Sequence, residues 1–216
     1  MSAYSEAVDL RPSNKKHQLT LFILFLVALA ISLSPFITVP IIGANLAFII
    51  MMVLELFISL YTYNAFYPQK NQLCIINFKK ALPFVLIFLF IQMLPLALDR
   101  SFEPTLLFSY HDIPGIVFIV IMTPFFEEIF YRGCLFDVVC SLCDSIGAGQ
   151  GRVAPALITS LFFSVMHTQF FSLYQYISVF ILSIVAIRVR AITKGLLFPM
   201  MLHAFFNAIF VLAIYK

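Results

Sequence analysis

From Leu19 onward the chain repeatedly supplies stretches of about twenty apolar residues, the length an α-helix needs to cross bilayer hydrocarbon. Seven such stretches stand out in the 216 residues: 19–41, 43–64, 81–98, 113–139, 152–170, 172–188 and 195–214. Hydrocarbon offers backbone N–H and C=O groups no partner, so each crossing segment must satisfy them internally. A membrane β-barrel would show apolar and polar residues in alternation, which these runs lack. The expected fold is therefore all-α, a polytopic transmembrane helical bundle of about seven spans, with an eighth span or a re-entrant piece as the variant. Composition agrees, with 62% of residues hydrophobic and 11% charged, against about 45–50% and about 25% in soluble domains. The lipid bilayer is the expected surroundings, and no nucleic-acid partner is expected.

Residues 1–16 read as a polar N-terminal tail and residues 17–216 as a single transmembrane domain. The tail is not expected to be a cleavable signal peptide. The apolar run after it is long enough to span, and no small-residue cleavage pattern closes that run. Residues 71–80 are short and amphipathic, suited to the membrane interface. Residues 99–103 and 147–151 read as loops, the second without the Lys-Ser/Thr that would complete a phosphate cradle. With a cytoplasmic N-terminus, Arg11, Lys15, Lys16, Lys70, Lys79, Lys80, Arg152, Arg188, Arg190 and Lys194 all fall on cytoplasmic segments, against Arg100 and Lys216 outside. The positive-inside rule favours that orientation, with the C-terminus outside if there are seven spans. The location would be the plasma membrane if the chain is bacterial. Among the cysteines Cys74, Cys134, Cys140 and Cys143, the Cys140-x-x-Cys143 pair reads as small apolar residues at a helix end, because no second pair completes a zinc site.

A charge at the bilayer centre costs roughly 2.5–3.5 kcal/mol on insertion scales, so the few polar residues inside the runs need partners or a task. Glu127 and Glu128 sit side by side in the fourth run. Glu128 and Arg132 share a helix face, and their pairing would offset part of the burial cost. Glu127 points about 100° away from Glu128. Phe163 and His167 stand one turn apart in the fifth run, as do His203 and Asn207 in the last. A carboxylate and a histidine can hold and deprotonate a water. A second histidine and an asparagine can stabilise an oxyanion. Such a set hydrolyses a peptide bond without a Ser or Cys nucleophile. Glu127, His167 and His203 also form a sound zinc ligand set with a position left for water. Water activation without metal stands beside it, because the H-E-x-x-H helix of zinc proteases is absent.

Other polar positions fall outside that set. Glu55, in the second run, belongs to no motif and is placed to reach Arg132 or line the cavity. Asp137 reads as interfacial, and His17 and His111 as solvated at span edges. Met122, Met166, Met200 and Met201 read as packing residues.

The strings Glu127-Glu128-x-x-x-Arg132, Phe163-x-x-x-His167 and His203-x-x-x-Asn207, in that order on separate apolar runs, resemble the CPBP family of intramembrane proteases. That family includes the CAAX prenyl endopeptidases and the bacterial Abi, or bacteriocin-processing, proteins. The resemblance covers residues 113–214 and implies an intramembrane endopeptidase, a metalloendopeptidase by family name with a glutamate-type mechanism as the other reading. It implies catalytic roles for Glu127, His167, His203 and Asn207, and supporting roles for Glu128, Arg132 and Phe163. Its substrate would be a membrane-associated or lipid-modified protein. Two other classes use the same residues differently. One is a proton- or ion-coupled transporter, against which stands the lack of paired half-repeats with broken helices. The other is a non-catalytic immunity or binding protein of the same fold.

Overall fold

The computed structural model describes residues 15–66, 78–98, 113–148, 152–167 and 172–214. The polar tail up to residue 14, the amphipathic segment up to residue 77, Cys74, the 99–103 loop, His111 and residues 149–151 lie outside the described residues. The helices are α1 (Lys15–Leu33), α2 (Pro35–Ile42), α3 (Ala44–Phe66), α4 (Phe78–Leu98), α5 (113–145), α6 (Val153–Val165), α7 (Leu173–Thr193) and α8 (Leu197–Ile214). No strand occurs among the described residues. Four stretches, Leu19–Ile42, Ala44–Phe66, Pro114–Ser145 and Leu173–Thr193, are long and apolar enough to cross a membrane. Val153–Val165 and Leu197–Ile209 are apolar but shorter. The chain is an integral membrane protein built as an all-α bundle.

Local chemistry sets the helix limits. Ser34 and Pro35 divide α1 from α2, because a proline fits the first turn of a helix but supplies no N–H further in. Gly43, at φ 80°, then turns the chain into α3, a conformation that glycine adopts without a Cβ penalty. The fifth apolar run, expected to stay helical to residue 170, ends as a helix at Val165. His167 donates its ring Nδ1–H to the Phe163 carbonyl at 2.7 Å. That carbonyl is the one its own backbone N–H would take in an α-helix, and the N–H bonds Ser164 O instead. A side chain that competes for backbone partners in this way ends a helix. The sixth run instead extends past its expected limit to Thr193. Ser172 and Gln175 form a capping box at its start, and Lys194, at φ 56°, closes it.

α5 is the centre of the bundle. Its second half packs on α1 and α3 and meets α6 and α7, while its first half meets α8. Buried Phe130, Tyr131, Cys134, Leu135 and Val138 of α5 join Leu21 and Ala28 of α1 in one apolar cluster. A second cluster joins Phe88 of α4, Val185 and Val189 of α7 and Leu202 of α8. Large apolar side chains such as Phe57, Leu86 and Phe90 face outward, as lipid contact requires. Cys140 and Cys143 are buried on α5 and form no disulfide.

α3 comes close to α5 at Gly133, through the Tyr63 side chain. A Cβ there would run into the Tyr63 phenol oxygen and come within 3.2 Å of Leu196 Cδ1. Gly133→Ala is expected to destabilise the protein by about 1–3 kcal/mol, the usual cost of overpacking, read as a lower melting temperature in micelles. Adding Tyr63→Phe should recover part of that loss. An unchanged melting temperature in Gly133→Ala would show that the two helices do not meet there.

Candidate active site

α5 is not wound evenly. Ile113–Val117, Thr123–Glu127 and Phe136–Ser145 are α-helical, whereas Phe118–Met122 and Glu128–Leu135 follow the wider i→i−5 register. The first wide stretch ends at Thr123, whose N–H and hydroxyl both reach Phe118 O. The second begins at Glu128 and closes with the Phe136 N–H on Tyr131 O. Wide turns inside α-helices recur at functional sites. Here they flank the adjacent glutamates and present both to α8.

His203 of α8 bridges the two carboxyl groups. Its Nδ1 lies 2.9 Å from Glu128 Oε1 and its Nε2 lies 3.8 Å from Glu127 Oε2. An ionised carboxylate only accepts, so Nδ1 carries the hydrogen toward Glu128 and Nε2 faces Glu127. Glu128 Oε1 also lies 3.1 Å from Arg132 Nη1. The Arg132 guanidinium sits with Cζ 3.9 Å over the Phe163 ring, an arrangement in which the π face stabilises a desolvated cation. Phe163 in turn meets the His167 ring edge-on at 4.5 Å. The His167 Nδ1–H is committed to Phe163 O, which leaves the lone pair on Nε2. Both imidazoles therefore have one nitrogen fixed by a partner and the other set for chemistry. His167 and Glu127 lie within electrostatic range of each other. Asn207, one turn beyond His203, donates from Nδ2 to Ile119 O at 2.8 Å.

The two glutamates differ in access. Glu128 is fully buried, whereas the Glu127 and His203 side chains are 16% and 13% exposed. Glu127 Oε2 has no hydrogen-bond partner. The Glu127–His203 side is thus the less buried side of the cluster, with Glu128 and Arg132 behind it, although Glu127 Oε2 itself is buried. Among the described residues no group of three His, Cys, Asp or Glu side chains closes round a position for a metal ion.

The structure corrects three expectations, at His167, Asp137 and Arg190. His167 sits just past the end of α6 instead of within a span. Asp137, expected at the interface, is buried and accepts two hydrogen bonds from Arg190, at 3.1 and 2.8 Å. Arg190, expected in a cytoplasmic loop, lies in the last turn of α7. A carboxylate in the apolar Leu135-Phe-Asp-Val-Val stretch was a cue for such a partner, since buried charges pair. Glu55 is fully buried and accepts a hydrogen bond from Ser32 of α1 at 2.8 Å, a partner that the readings of contact with Arg132, cavity lining or an idle polar groove did not include. Sequence reasoning also passed over Tyr131, which is buried against Phe163 with ring centroids 4.9 Å apart.

Two carboxylates, two imidazoles and an amide thus lie on neighbouring membrane helices. Residues 109–209 match the family model described as type II CAAX prenyl endopeptidase Rce1-like, so this segment is similar to the CPBP, or CAAX protease, family. An uncharacterized 24.3 kDa protein of Escherichia coli is 33% identical to it over 114 residues, covering 50% of each chain. The chain thus spans about half the length of that curated relative. No solved structure matches it.

The Asp137–Arg190 pair gives a test of how α5 is anchored to α7. Asp137→Ala leaves a buried guanidinium without its carboxylate and is expected to cost about 3–5 kcal/mol. Replacing both, as in Asp137→Leu with Arg190→Met, should restore most of the melting temperature. A double variant no more stable than Asp137→Ala would mean that the pair is not the anchor.

Proposed function

We propose that this chain is an intramembrane endopeptidase. In this reading it hydrolyses a peptide bond in a membrane-associated or lipid-modified protein, with prenylated C-terminal peptides the first substrate class to try. The observation that carries it is the 3.8 Å contact of His203 Nε2 with Glu127 Oε2, a buried oxygen without a hydrogen-bond partner, on the less buried side of the polar cluster. Glu127 takes a proton from water as the water oxygen attacks the carbonyl carbon. It then returns that proton to the leaving nitrogen as the C–N bond breaks. His167, through Nε2, orients the same water. His203, as the doubly protonated imidazolium with Nδ1–H held by Glu128, donates Nε2–H to the carbonyl oxygen as it gains charge. Glu128 and Arg132 fix the His203 ring, and Phe163 backs both Arg132 and His167.

The N-terminus is assigned to the cytoplasm by the basic residues, and substrate reaches the Glu127 side from lipid or from the cytoplasmic face. α1 and α3 pack against α5, and residues 113–214 supply the chemistry.

The test uses purified protein in liposomes with a quenched, prenylated peptide. Glu127→Gln and His203→Ala are each expected to lower turnover by about 10²–10⁴-fold, the usual worth of a proton-transferring group, with the melting temperature near wild type in Glu127→Gln and lowered in His203→Ala, which strips a partner from buried Glu128. Turnover equal to wild type in both variants rejects the protease reading. Exhaustive chelation is expected to leave turnover intact. Loss on chelation, reversed by zinc, would replace the metal-free mechanism with a zinc one.

A further inference from the structure

Ile119 carries a carbonyl that the α5 backbone does not serve. In an α-helix it would accept the N–H of residue 123, and in the wider i→i−5 register that of residue 124. The Thr123 N–H is directed to Phe118 O. Residue 124 is a proline and has no N–H to give. An unmet carbonyl inside a membrane bundle costs about as much as a lost hydrogen bond, and here Asn207 of α8 supplies the donor at 2.8 Å.

The same helix meets Glu127 and Glu128 one turn earlier, through His203. α8 therefore grips α5 on both sides of Pro124, at a carbonyl before it and at two carboxyl groups after it. Neither bond alone sets the register of α8 against α5. Together they fix how far the Glu127–Glu128 turn stands from the imidazole.

We propose that Asn207 is a positioning residue, whose amide replaces the hydrogen bond that Pro124 cannot make and so holds the two glutamates in register with His203. Its effect on turnover rests on the protease reading above, whereas its effect on α5 does not. The role differs from direct donation to the substrate oxyanion, which would act on the reacting atoms and take no account of residue 124.

A double-mutant cycle separates the two. Asn207→Ala, Pro124→Ala and the double variant are compared for melting temperature and for kcat and KM on the quenched prenylated peptide. In Pro124→Ala the restored N–H of residue 124 can reach the Ile119 carbonyl. Asn207→Ala alone is expected to lower the melting temperature and to cut kcat by about tenfold or more, the scale of a misplaced reacting group, with KM little changed. In the Pro124→Ala background both costs should shrink several-fold, as coupled positions do.

Equal costs in the two backgrounds would overturn the inference in favour of direct oxyanion donation. If Asn207→Ala alone fails to fold, a folded double variant supports the inference and an unfolded one overturns it. Should wild type cleave no peptide, the protease reading fails, and the coupling of melting temperatures still decides this inference.

Discussion

The structure depends on keeping Glu128 charged in a place without water. Three groups make that possible. Arg132 lies 3.1 Å away on the same helix, His203 lies 2.9 Å away on α8, and Phe163 lies under the guanidinium. An isolated carboxylate at that depth would cost several kcal/mol. The partners offset that cost, and each is thereby fixed in place. The ion pair orients the imidazole, and the ring that stacks on the arginine also touches His167. Burial of one carboxylate thus determines the geometry available to the other. Glu127, next in sequence and partly exposed, faces the imidazole nitrogen that Glu128 has left for it.

The winding of α5 is what lets neighbouring residues take such different parts. Adjacent positions on a helix point in different directions, which separates Glu127 from Glu128. The two wide stretches before and after Thr123–Glu127 turn that segment relative to the rest of the helix. Their hydrogen-bonding debts are met from outside α5, as at Ile119. A helix irregular in hydrocarbon must find its missing partners in the neighbouring protein, and α8 is that neighbour. Packing from α3 onto the second wide stretch, close at Gly133, holds the other side.

The sequence made legible whatever is decided within one or two turns of chain. The apolar runs marked the helices, and spacing of four residues marked the Glu128–Arg132, Phe163–His167 and His203–Asn207 faces. These are geometric consequences of helix periodicity and needed no tertiary knowledge. Pairings between distant residues were not legible. Asp137 with Arg190 and Ser32 with Glu55 join helices that nothing in the local pattern brings together. The end of α6 was missed for another reason. His167 was weighed as a functional side chain, and its competition for the Phe163 carbonyl was not. The wide register round Pro124 depends on which carbonyls find donors elsewhere, as Ile119 does on α8.

The most direct measurement is the internuclear distance between the His203 ring Nε2 and the Glu127 carboxyl carbon. Solid-state NMR of the protein in bilayers, with labelled histidine and glutamate and a Glu127→Gln control to assign the signal, provides it. A strong dipolar coupling is expected, matching the 3.8 Å between His203 Nε2 and Glu127 Oε2, and it should vanish or move in the control. Absence of any coupling in wild type, with His203 still bonded to Glu128, would mean that the less buried carboxylate and the imidazole do not share a site.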